Sequence, residues 1–295
     1  MAERVWTVRD ALDWIVGYLA SKGDEHPRRS AEWLLSAATG LSRVEVYAYH
    51  DRPLSAEERG YLRSAVARRA AGEPLQLVTG EMPFRHLVIR VRPGVFIPRP
   101  ETEVLVDAAI RALRGVEEPV VAEPCTGSGC VAVSIAHEIP GARVWATDVS
   151  EIAVETARQN ALYAKVSDRV QVLHGDLLEP LLDQPTQRGV FDAVVSNPPY
   201  VPRGQLAGLP PEVIDHEPRA ALDGGEDGCD VARRIVEQAL ELLKPGGTIA
   251  LELAEDRASA FAEEVSAVLC EVAVVKDLSG RDRIVVGKKQ EASGR

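Results

Sequence analysis

The chain has 295 residues, of which 45% are hydrophobic and 27% charged, and its formal net charge is −11. This length allows two domains, the composition is ordinary for a globular protein, and no apolar run is long enough to cross a bilayer. The first ten residues lack the apolar core of a signal peptide, so we expect a cytoplasmic protein. The four cysteines are not spaced as metal ligands or as a disulfide framework, and no metal site is predicted.

The negative charge is unevenly distributed. Residues 1–75 carry 11 basic and 11 acidic side chains, so the excess of acidic residues falls on the remainder of the chain. A protein that binds duplex nucleic acid usually carries a basic stripe, because neutralising phosphates supplies most of the affinity. The charge distribution therefore argues against nucleic acid as the direct substrate.

Residues 1–75 are predicted to form a small helical domain. Apolar residues recur at helical spacing, as in Leu12, Ile15 and Leu19. The helix start signals, in chain order, are a capping box of Thr7 and Asp10, Pro27 at a first helical position, and a capping box of Ser55 and Glu58. The last of these helices should end near Ala71.

Residues 76–100 are predicted to link two domains through a β-hairpin. Leu75–Thr79 and Leu87–Val91 have the composition of strands, and Gly80 and Pro83 between them are turn residues. A proline-rich passage then leads into a helix expected at about 102–113.

From residue 101 to about 290 the sequence predicts an α/β domain. The predicted strands are Val120–Glu123, Arg143–Thr147, Val170–His174, Ala193–Ser196, Thr248–Leu253, Val272–Lys276 and Arg283–Val286. The helices between them are expected at 129–138, 150–163, 229–243 and 257–269. This alternation indicates an open, mostly parallel sheet with helices on both faces.

A glycine-containing loop follows the first of these strands. Gly127 and Gly129 allow a tight turn and a close approach by a ligand, and the next helix begins there with unpaired N–H groups. Asp148, after the second strand, can accept two hydrogen bonds from a ribose diol. These residues predict a nucleoside cofactor, either NAD or S-adenosylmethionine, with a purely structural turn as the alternative.

A second motif, Asn197-Pro198-Pro199-Tyr200, ends the fourth strand and favours S-adenosylmethionine. The prolines fix the backbone, so the side-chain amide of Asn197 is held in one orientation. An amide oxygen and a nearby backbone carbonyl can each accept one N–H of a planar NH₂ group, and Tyr200 can form a wall of the pocket. The motif therefore predicts methylation of an amide or amine nitrogen; a proline turn that merely ends a strand is the alternative.

Two residues after the third strand are candidates for contacts with adenine. Asp176 could accept a hydrogen bond from the adenine amino group, although an Asp here could also simply cap a helix. Leu177 could cover the face of the base, or belong to the core instead.

Taken together, these motifs resemble the HemK/PrmC family of protein-glutamine methyltransferases, which modify peptide chain release factors. The resemblance covers nearly the whole chain, and two blocks make it specific when they occur together. These blocks are Ile-Pro-Arg-Pro-Glu-Thr-Glu at 97–103 and Asn-Pro-Pro-Tyr at 197–200. Further matches are Val78-Thr79-Gly80, Thr126–Cys130, Thr147–Ser150, Glu217–Gly225, Lys244–Gly247 and Asp282-Arg283.

The resemblance implies a Rossmann-like class I methyltransferase fold, S-adenosyl-L-methionine as cofactor and a class I release factor as protein partner. The implied catalytic residues are Asn197, Pro198 and Tyr200. The implied substrate-binding residues are Arg99, Asn197, Pro198, Pro199 and Tyr200, which would hold the glutamine of a Gly-Gly-Gln loop. The candidate cofactor-binding residues are Glu123, Cys125, Thr126, Gly127, Ser128, Gly129, Asp148, Asp176, Leu177 and Asn197.

The chain departs from the family pattern at two positions. The glycine loop opens with Glu123-Pro124-Cys125, where the family usually has Asp-Leu-Gly or Asp-Leu-Cys, and Pro124 removes one N–H donor. Leu177 stands where the family often has an aromatic residue.

Three other functions remain open at the level of sequence. They are methylation of a glutamine in a ribosomal protein, methylation of the adenine amino group in DNA or RNA, and cofactor binding without catalysis.

Overall fold

The computed structural model describes residues 5–291, and the chain forms two compact units that divide between Glu81 and Met82. Each unit has its own hydrophobic core. Among residues 5–291, no helix is long and apolar enough to cross a membrane.

The first unit is helical, as predicted. Its helices are α1 (Val8–Ser21), α2 (Pro27–Thr39), α3 (Arg43–Ala48), α4 (Ala56–Ala70) and α5 (Leu75–Thr79). The apolar face predicted for α1 is buried: Leu12, Ile15 and Leu19 pack in one cluster with Leu34 and Leu35 of α2. Burial of this face, rather than intrinsic propensity, stabilises helices of such length.

Capping boxes begin three of these helices. Thr7 and Ser55 each accept a hydrogen bond from the backbone N–H three residues later, as the sequence predicts. The same reciprocal arrangement between Ser42 and Glu45 begins α3, which sequence analysis missed. The signal at Ser42 was present, but only six helical residues follow it, too few to show an apolar period.

The prediction of a strand at Leu75–Thr79 is wrong, because this segment is α5. Leu75 and Val78 point into the core of the first unit, which a helix allows and an extended chain would not. Arg68 donates hydrogen bonds to the carbonyls of Leu77 and Val78, which a short helix leaves unpaired. Tertiary packing thus overrides the β propensity of the sequence.

The hairpin therefore lies further along the chain than predicted. Its strands are β1 (Glu81–Phe84) and β2 (Leu87–Arg90), so the second strand was predicted correctly and the first was not. The turn is made by Arg85, with φ of 51°, and His86, not by Gly80 and Pro83. The backbone N–H of Arg85 donates to Glu103, and this contact holds the turn in its left-handed conformation.

The second unit contains the seven-stranded, mostly parallel sheet that was predicted. Its strands are β3 (Val120–Pro124), β4 (Arg143–Asp148), β5 (Val170–His174), β6 (Phe191–Ser196), β7 (Leu243–Glu252), β8 (Leu269–Lys276) and β9 (Asp282–Lys289). Their order across the sheet is β5-β4-β3-β6-β7-β9-β8. Strands β3 to β7 run parallel, whereas β9 is antiparallel to both of its neighbours.

The helices of this unit are α6 (Thr102–Ala112), α7 (Cys130–Glu138), α8 (Glu151–Tyr163), α9 (Glu179–Leu182), α10 (Pro211–Ile214), α11 (Asp230–Leu242) and α12 (Ala258–Val265). Helices α11 and α12 share a buried cluster with alternate residues of the central strands. Helix α6 contacts β6 and β7, and α7 and α8 contact β4. The alternation of strand and helix in the sequence predicted these elements because strands such as β3 and β6 are buried apolar runs and helices such as α6 and α11 are amphipathic.

A close contact between α7 and α8 fixes the loop that precedes α7. Gly129, with φ of +79°, is the N-cap of α7. A Cβ atom at this position would lie 2.9 Å from the Cβ of Ala157 in α8. Gly127, in the same loop, has φ of +56°, but a Cβ there would have no heavy atom within 4 Å. The two glycines therefore serve different purposes.

We expect Gly129→Ala to destabilise the second unit more than Gly127→Ala. Both substitutions place a side chain in the left-handed region, at about 1–2 kcal/mol. Only Gly129→Ala also forces α7 and α8 apart, at about 1–3 kcal/mol more. Native-state hydrogen exchange of the amides in α7 and α8 measures both losses, and equal losses would contradict the packing role of Gly129.

Candidate active site

A cleft of about 440 Å³ lies at the carboxyl ends of β3, β4 and β6. This is where α/β sheets bind ligands, and the volume is in the range of small-molecule sites. The predicted site residues that line it are Arg99, Glu123, Cys125, Thr126, Gly127, Ser128, Asp148, Asp176, Leu177, Asn197, Pro198, Pro199 and Tyr200. Gly129 is not among the lining residues; it is buried against α8 and shapes the loop from behind.

The glycine loop is tied to the neighbouring strand by its backbone. Thr126 N–H donates to the carbonyl of Thr147, 3.0 Å away, and Gly127 N–H donates to Asp148 Oδ2 at 2.9 Å. Cys125, which carries a side chain, adopts a left-handed φ of 60°. Non-glycine residues rarely adopt this conformation, and they cluster at ligand sites.

Glu123 organises this loop from inside the protein. Its carboxyl group is 2% exposed and accepts hydrogen bonds from Thr126 Oγ1 at 2.7 Å and from the N–H of Ala132 at 2.9 Å. Burial is the main cause that raises its pKa to about 8. Glu123 is therefore protonated at neutral pH, and its hydrogen bonds connect the end of β3 to the first turn of α7.

Asp148 presents a carboxylate between two loops. Its Oδ2 accepts from Gly127 and its Oδ1 accepts from the N–H of Ser150, each at 2.9 Å. Burial raises the pKa of this carboxyl group, and the backbone hydrogen bonds oppose the rise. Each oxygen has a second lone pair, so the group keeps acceptor capacity for a ligand in the cleft.

Asp176 and Leu177 form the far wall of the cleft. Asp176 is partly exposed and pairs with Arg234 of α11 at 2.5 Å. Leu177 is buried with φ of 47°, and its carbonyl accepts a hydrogen bond from the hydroxyl of Thr147. Arg234 also lines the cleft, and sequence analysis missed it because no motif surrounds it.

Asn197 is held by a residue outside its own motif. Its Nδ2 donates to Thr102 Oγ1 at 3.0 Å, at the start of α6. The preceding residue, Ser196, donates from its hydroxyl to the carbonyl of Pro124 at 2.6 Å and so joins β6 to β3. Because Thr102 holds the NH₂ end of the Asn197 amide, the oxygen end is directed away from Thr102. Sequence analysis gave Thr102 no role, although it lies in the Ile-Pro-Arg-Pro block.

Two glycines support the Asn-Pro-Pro-Tyr loop from behind. A Cβ atom at Gly224 would lie 2.7 Å from both the carbonyl oxygen of Pro199 and the Cα of Tyr200. At Gly228, a Cβ would lie 2.5 Å from the carbonyl oxygen of Tyr200. The glycines after Asp223 are therefore needed for close backbone packing.

Arg99 is engaged with the segment that covers one side of the cleft. Its guanidinium group forms an ion pair with the buried carboxyl group of Glu217 and lies over the ring of Phe96. Glu217 precedes Pro218 and the lining residues that follow it. In this structure Arg99 thus holds the start of the segment from Pro218 onward, which lines one wall of the cleft.

We expect Glu123→Gln to change how stability depends on pH. The folded-state pKa of about 8 lies above the ordinary value of 4.5, so between these values the folded state keeps a proton that the unfolded state has released. The contribution of Glu123 to the free energy of unfolding therefore falls as pH rises across that interval. Gln does not titrate, so the Glu123→Gln variant should lack this fall. Thermal unfolding at a series of pH values measures the slope. Glu155→Gln, on the exposed face of α8, is the control; a slope unchanged in Glu123→Gln would contradict the prediction.

Two family models match the chain. One is described as the PrmC N-terminal domain and matches residues 10–80, and the other is described as a methyltransferase small domain and matches residues 89–226. The two matches meet near the division between the compact units.

Curated relatives match along almost the entire length. The release factor glutamine methyltransferase of Geobacter sulfurreducens is 45% identical over 96% of this chain and 97% of its own. The protein of the same name from Moorella thermoacetica is 43% identical over 97% of this chain and 99% of its own.

Among solved structures, the catalytic domain of hMettl16 in complex with a 3′UTR hairpin is similar with a TM-score of 0.56 and 17% identity. The aligned region covers 78% of this chain and 82% of the chain in that structure. This likeness supports the fold alone. The full-length sequence matches, together with the cleft that collects the two motifs, confirm the family expected from the sequence: the chain belongs to the release factor glutamine methyltransferases.

Proposed function

We propose that this protein transfers a methyl group from S-adenosylmethionine to the side-chain amide nitrogen of a glutamine in a peptide chain release factor. The observation that carries the proposal is the fixed amide of Asn197, whose NH₂ end is held by Thr102. Its oxygen is then an acceptor for a planar NH₂ group in the cleft. The named activity of the full-length relatives supports the same reaction.

The residues of the cleft fit S-adenosylmethionine. Asp148 offers acceptor oxygens for a ribose diol, and Leu177 offers an apolar surface for a base. Gly127 leaves open space beside the loop, since a Cβ there would contact nothing within 4 Å. The carboxylate of Asp148 favours a ligand that carries positive charge, whereas the charge of Asp176 is already paired with Arg234. S-adenosylmethionine supplies a methyl group on a positively charged sulfur, which makes that carbon electrophilic.

The protein's part in the reaction is to hold the nucleophile. A carboxamide nitrogen is weakly nucleophilic because its lone pair is shared with the carbonyl group. Asn197 Oδ1 and the backbone carbonyl of Pro198 would each accept one N–H of the substrate amide and direct the nitrogen toward the methyl donor. These acceptors also stabilise positive charge that develops on the nitrogen during transfer, and the nitrogen becomes neutral when one of its protons passes to water.

Tyr200 and the prolines shape the pocket around that amide. The ring of Tyr200 packs against the core behind the motif and lines the cleft. Burial raises the pKa of its phenol group, so the hydroxyl remains protonated. Tyr200 therefore acts as a wall and a neutral hydrogen-bonding group.

The experiment that tests the function uses a panel of substrates with labelled cofactor. An intact class I release factor, a ribosomal protein and DNA or RNA are incubated with the enzyme, and mass spectrometry locates any added methyl. We expect one methyl on the glutamine of the Gly-Gly-Gln loop. Label on the ribosomal protein alone, or on adenine alone, would replace the release factor with that substrate.

We expect Asn197→Ala to lower the rate of methyl transfer by roughly 10²–10³-fold, the usual effect of removing one positioned polar partner. The substitution removes an acceptor on the cleft and leaves the buried residues around it in place. Single-turnover transfer at saturating cofactor and substrate measures the loss. A rate within about threefold of the wild type would show that Asn197 is structural.

We expect intact release factor to be methylated faster than a Gly-Gly-Gln peptide, because contacts remote from the reacting amide help to position it. The first unit exposes aromatic side chains suited to such contacts, with Trp14 48% and Tyr49 53% exposed. Trp14→Ala should therefore raise KM for the intact factor and leave KM for the peptide unchanged. An equal change for both substrates would mean that this surface does not contact the release factor.

A further inference from the structure

A buried carboxyl group lies behind the Asn-Pro-Pro-Tyr motif and is not among the residues that hold the substrate amide or the cofactor. Glu252, the last residue of β7, is fully buried, and neither of its oxygens has a standard hydrogen-bond partner among the described residues. An ionisable group without a partner in the interior is costly. Such groups concentrate at functional sites.

The register of the sheet places Glu252 beside Asn197. In the parallel pairing of β6 and β7, Ser196 lies opposite Leu251, so this pair is followed by Asn197, directly after β6, and by Glu252, the last residue of β7. Thr102 contacts both of them. It accepts a hydrogen bond from Asn197, and it is near enough to Glu252 to lower the pKa of that carboxyl group, although the two side chains form no hydrogen bond in the structure.

The surroundings of Glu252 have opposing effects on the pKa of its carboxyl group. Burial, the largest cause, raises the pKa of Glu252 to about 7, while Thr102 and Arg283 lower it. Charged and titratable groups interact with Glu252 from several neighbouring elements: Arg99 and Glu101 before α6, Cys130 in α7, Tyr200 after β6 and Arg283 in β9. Glu252 can therefore be ionised or protonated near neutral pH.

The single hydrogen of the Thr102 hydroxyl couples the two neighbours. An ionised Glu252 can only accept, so a Thr102 hydroxyl turned toward it would donate to Glu252 while accepting from Asn197 Nδ2. The oxygen of Asn197 then faces the cleft. A protonated Glu252 can donate to Thr102 instead. The Thr102 hydroxyl can then donate its hydrogen to Asn197 Oδ1, which requires the side-chain amide of Asn197 to rotate by about 180°. The NH₂ group would then face the cleft, where it cannot accept from a substrate amide.

We propose that Glu252 is a positioning residue that sets, through Thr102, which end of the Asn197 amide faces the substrate. The inference rests on the proposed function, in which Asn197 Oδ1 accepts an N–H of the glutamine. It adds a requirement for ionised Glu252, so methyl transfer should increase as pH rises through about 7.

A test that does not depend on activity uses the two asparagines of the sequence, Asn160 and Asn197. In protein labelled with ¹⁵N-asparagine, NMR shows only their signals. Asn160 is an internal reference, because its side chain is held by the backbone of Arg90 and Ser128. We expect the side-chain amide signal of Asn197 to titrate between about pH 5.5 and about pH 8.5, and Asn160 to stay fixed.

The variant Glu252→Gln should abolish this titration. Gln is nearly isosteric, and an unchanged Asn160 signal reports that the variant is folded. An Asn197 signal that does not titrate in the wild type, or that titrates equally in Glu252→Gln, would overturn the inference.

Kinetics provide a second, separate readout. We expect Glu252→Gln to lose the pH dependence of kcat and to bind cofactor with unchanged affinity. Glu138→Gln, which removes a partner of Arg85 away from the cleft, is the matched control and should keep the wild-type pH profile. A wild-type profile in Glu252→Gln would reject the inference.

The two proposals fail in different ways. If the wild type methylates no glutamine but Asn197 titrates as described, the function is wrong and the coupling remains. If the wild type methylates the release factor but Asn197 does not respond to pH, only the role of Glu252 is wrong.

Discussion

The position of β3 between β4 and β6 is the constraint on which the active site depends. The chain leaves β3 through α7 toward one side of the sheet, and β6 lies on the other side. The loops that follow β3 and β6 therefore separate and leave a crevice between them. The glycine loop occupies one side of that crevice and the Asn-Pro-Pro-Tyr motif the other. Ser196 bridges the two through the carbonyl of Pro124, which keeps their spacing fixed.

Acidic groups surround this crevice, and their environments give them different tasks. Glu123 is buried and accepts two hydrogen bonds, and its pKa is raised to about 8. It therefore links the end of β3 to the first turn of α7 as a neutral group. Asp148 is bonded by backbone N–H groups and keeps acceptor capacity toward the cleft. Glu252 is buried without such donors. Burying ionisable groups lowers stability, and their concentration around one cleft is what a site with controlled charge requires.

Two sets of contacts make the cleft rigid: the Arg99–Glu217 ion pair, and the close packing of Gly224 and Gly228 against the backbone of the Asn-Pro-Pro-Tyr motif. Arg99 and Glu217 join the proline-rich passage before α6 to the wall of the cleft. Gly224 and Gly228 let the following loop pack directly against the backbone of Tyr200. A methyl transfer that depends mainly on positioning needs such rigidity, because small displacements of the nucleophile cost large factors in rate.

The sequence by itself determined the α/β order and the position of the glycine loop, and it placed Asp148 and Asn197 at the carboxyl ends of two strands. Each of these rests on a local pattern: strand and helix periods, glycines that allow a turn, or prolines that fix one. The family resemblance followed from the same motifs, and the full-length relatives confirm it. Capping boxes identified the starts of α1 and α4 for the same reason, since a cap involves residues only three positions apart.

Only the tertiary structure decided the features that depend on residues far apart in the chain. It made Leu75–Thr79 a helix, because a core outside that segment receives Leu75 and Val78. It showed that Gly129 serves packing against Ala157. It also brought Arg234 to the cleft from a helix that carries no motif, and it placed Thr102 and the buried Glu252 beside Asn197. Their roles come from sheet register and helix packing, and these depend on the fold as a whole rather than on neighbouring residues.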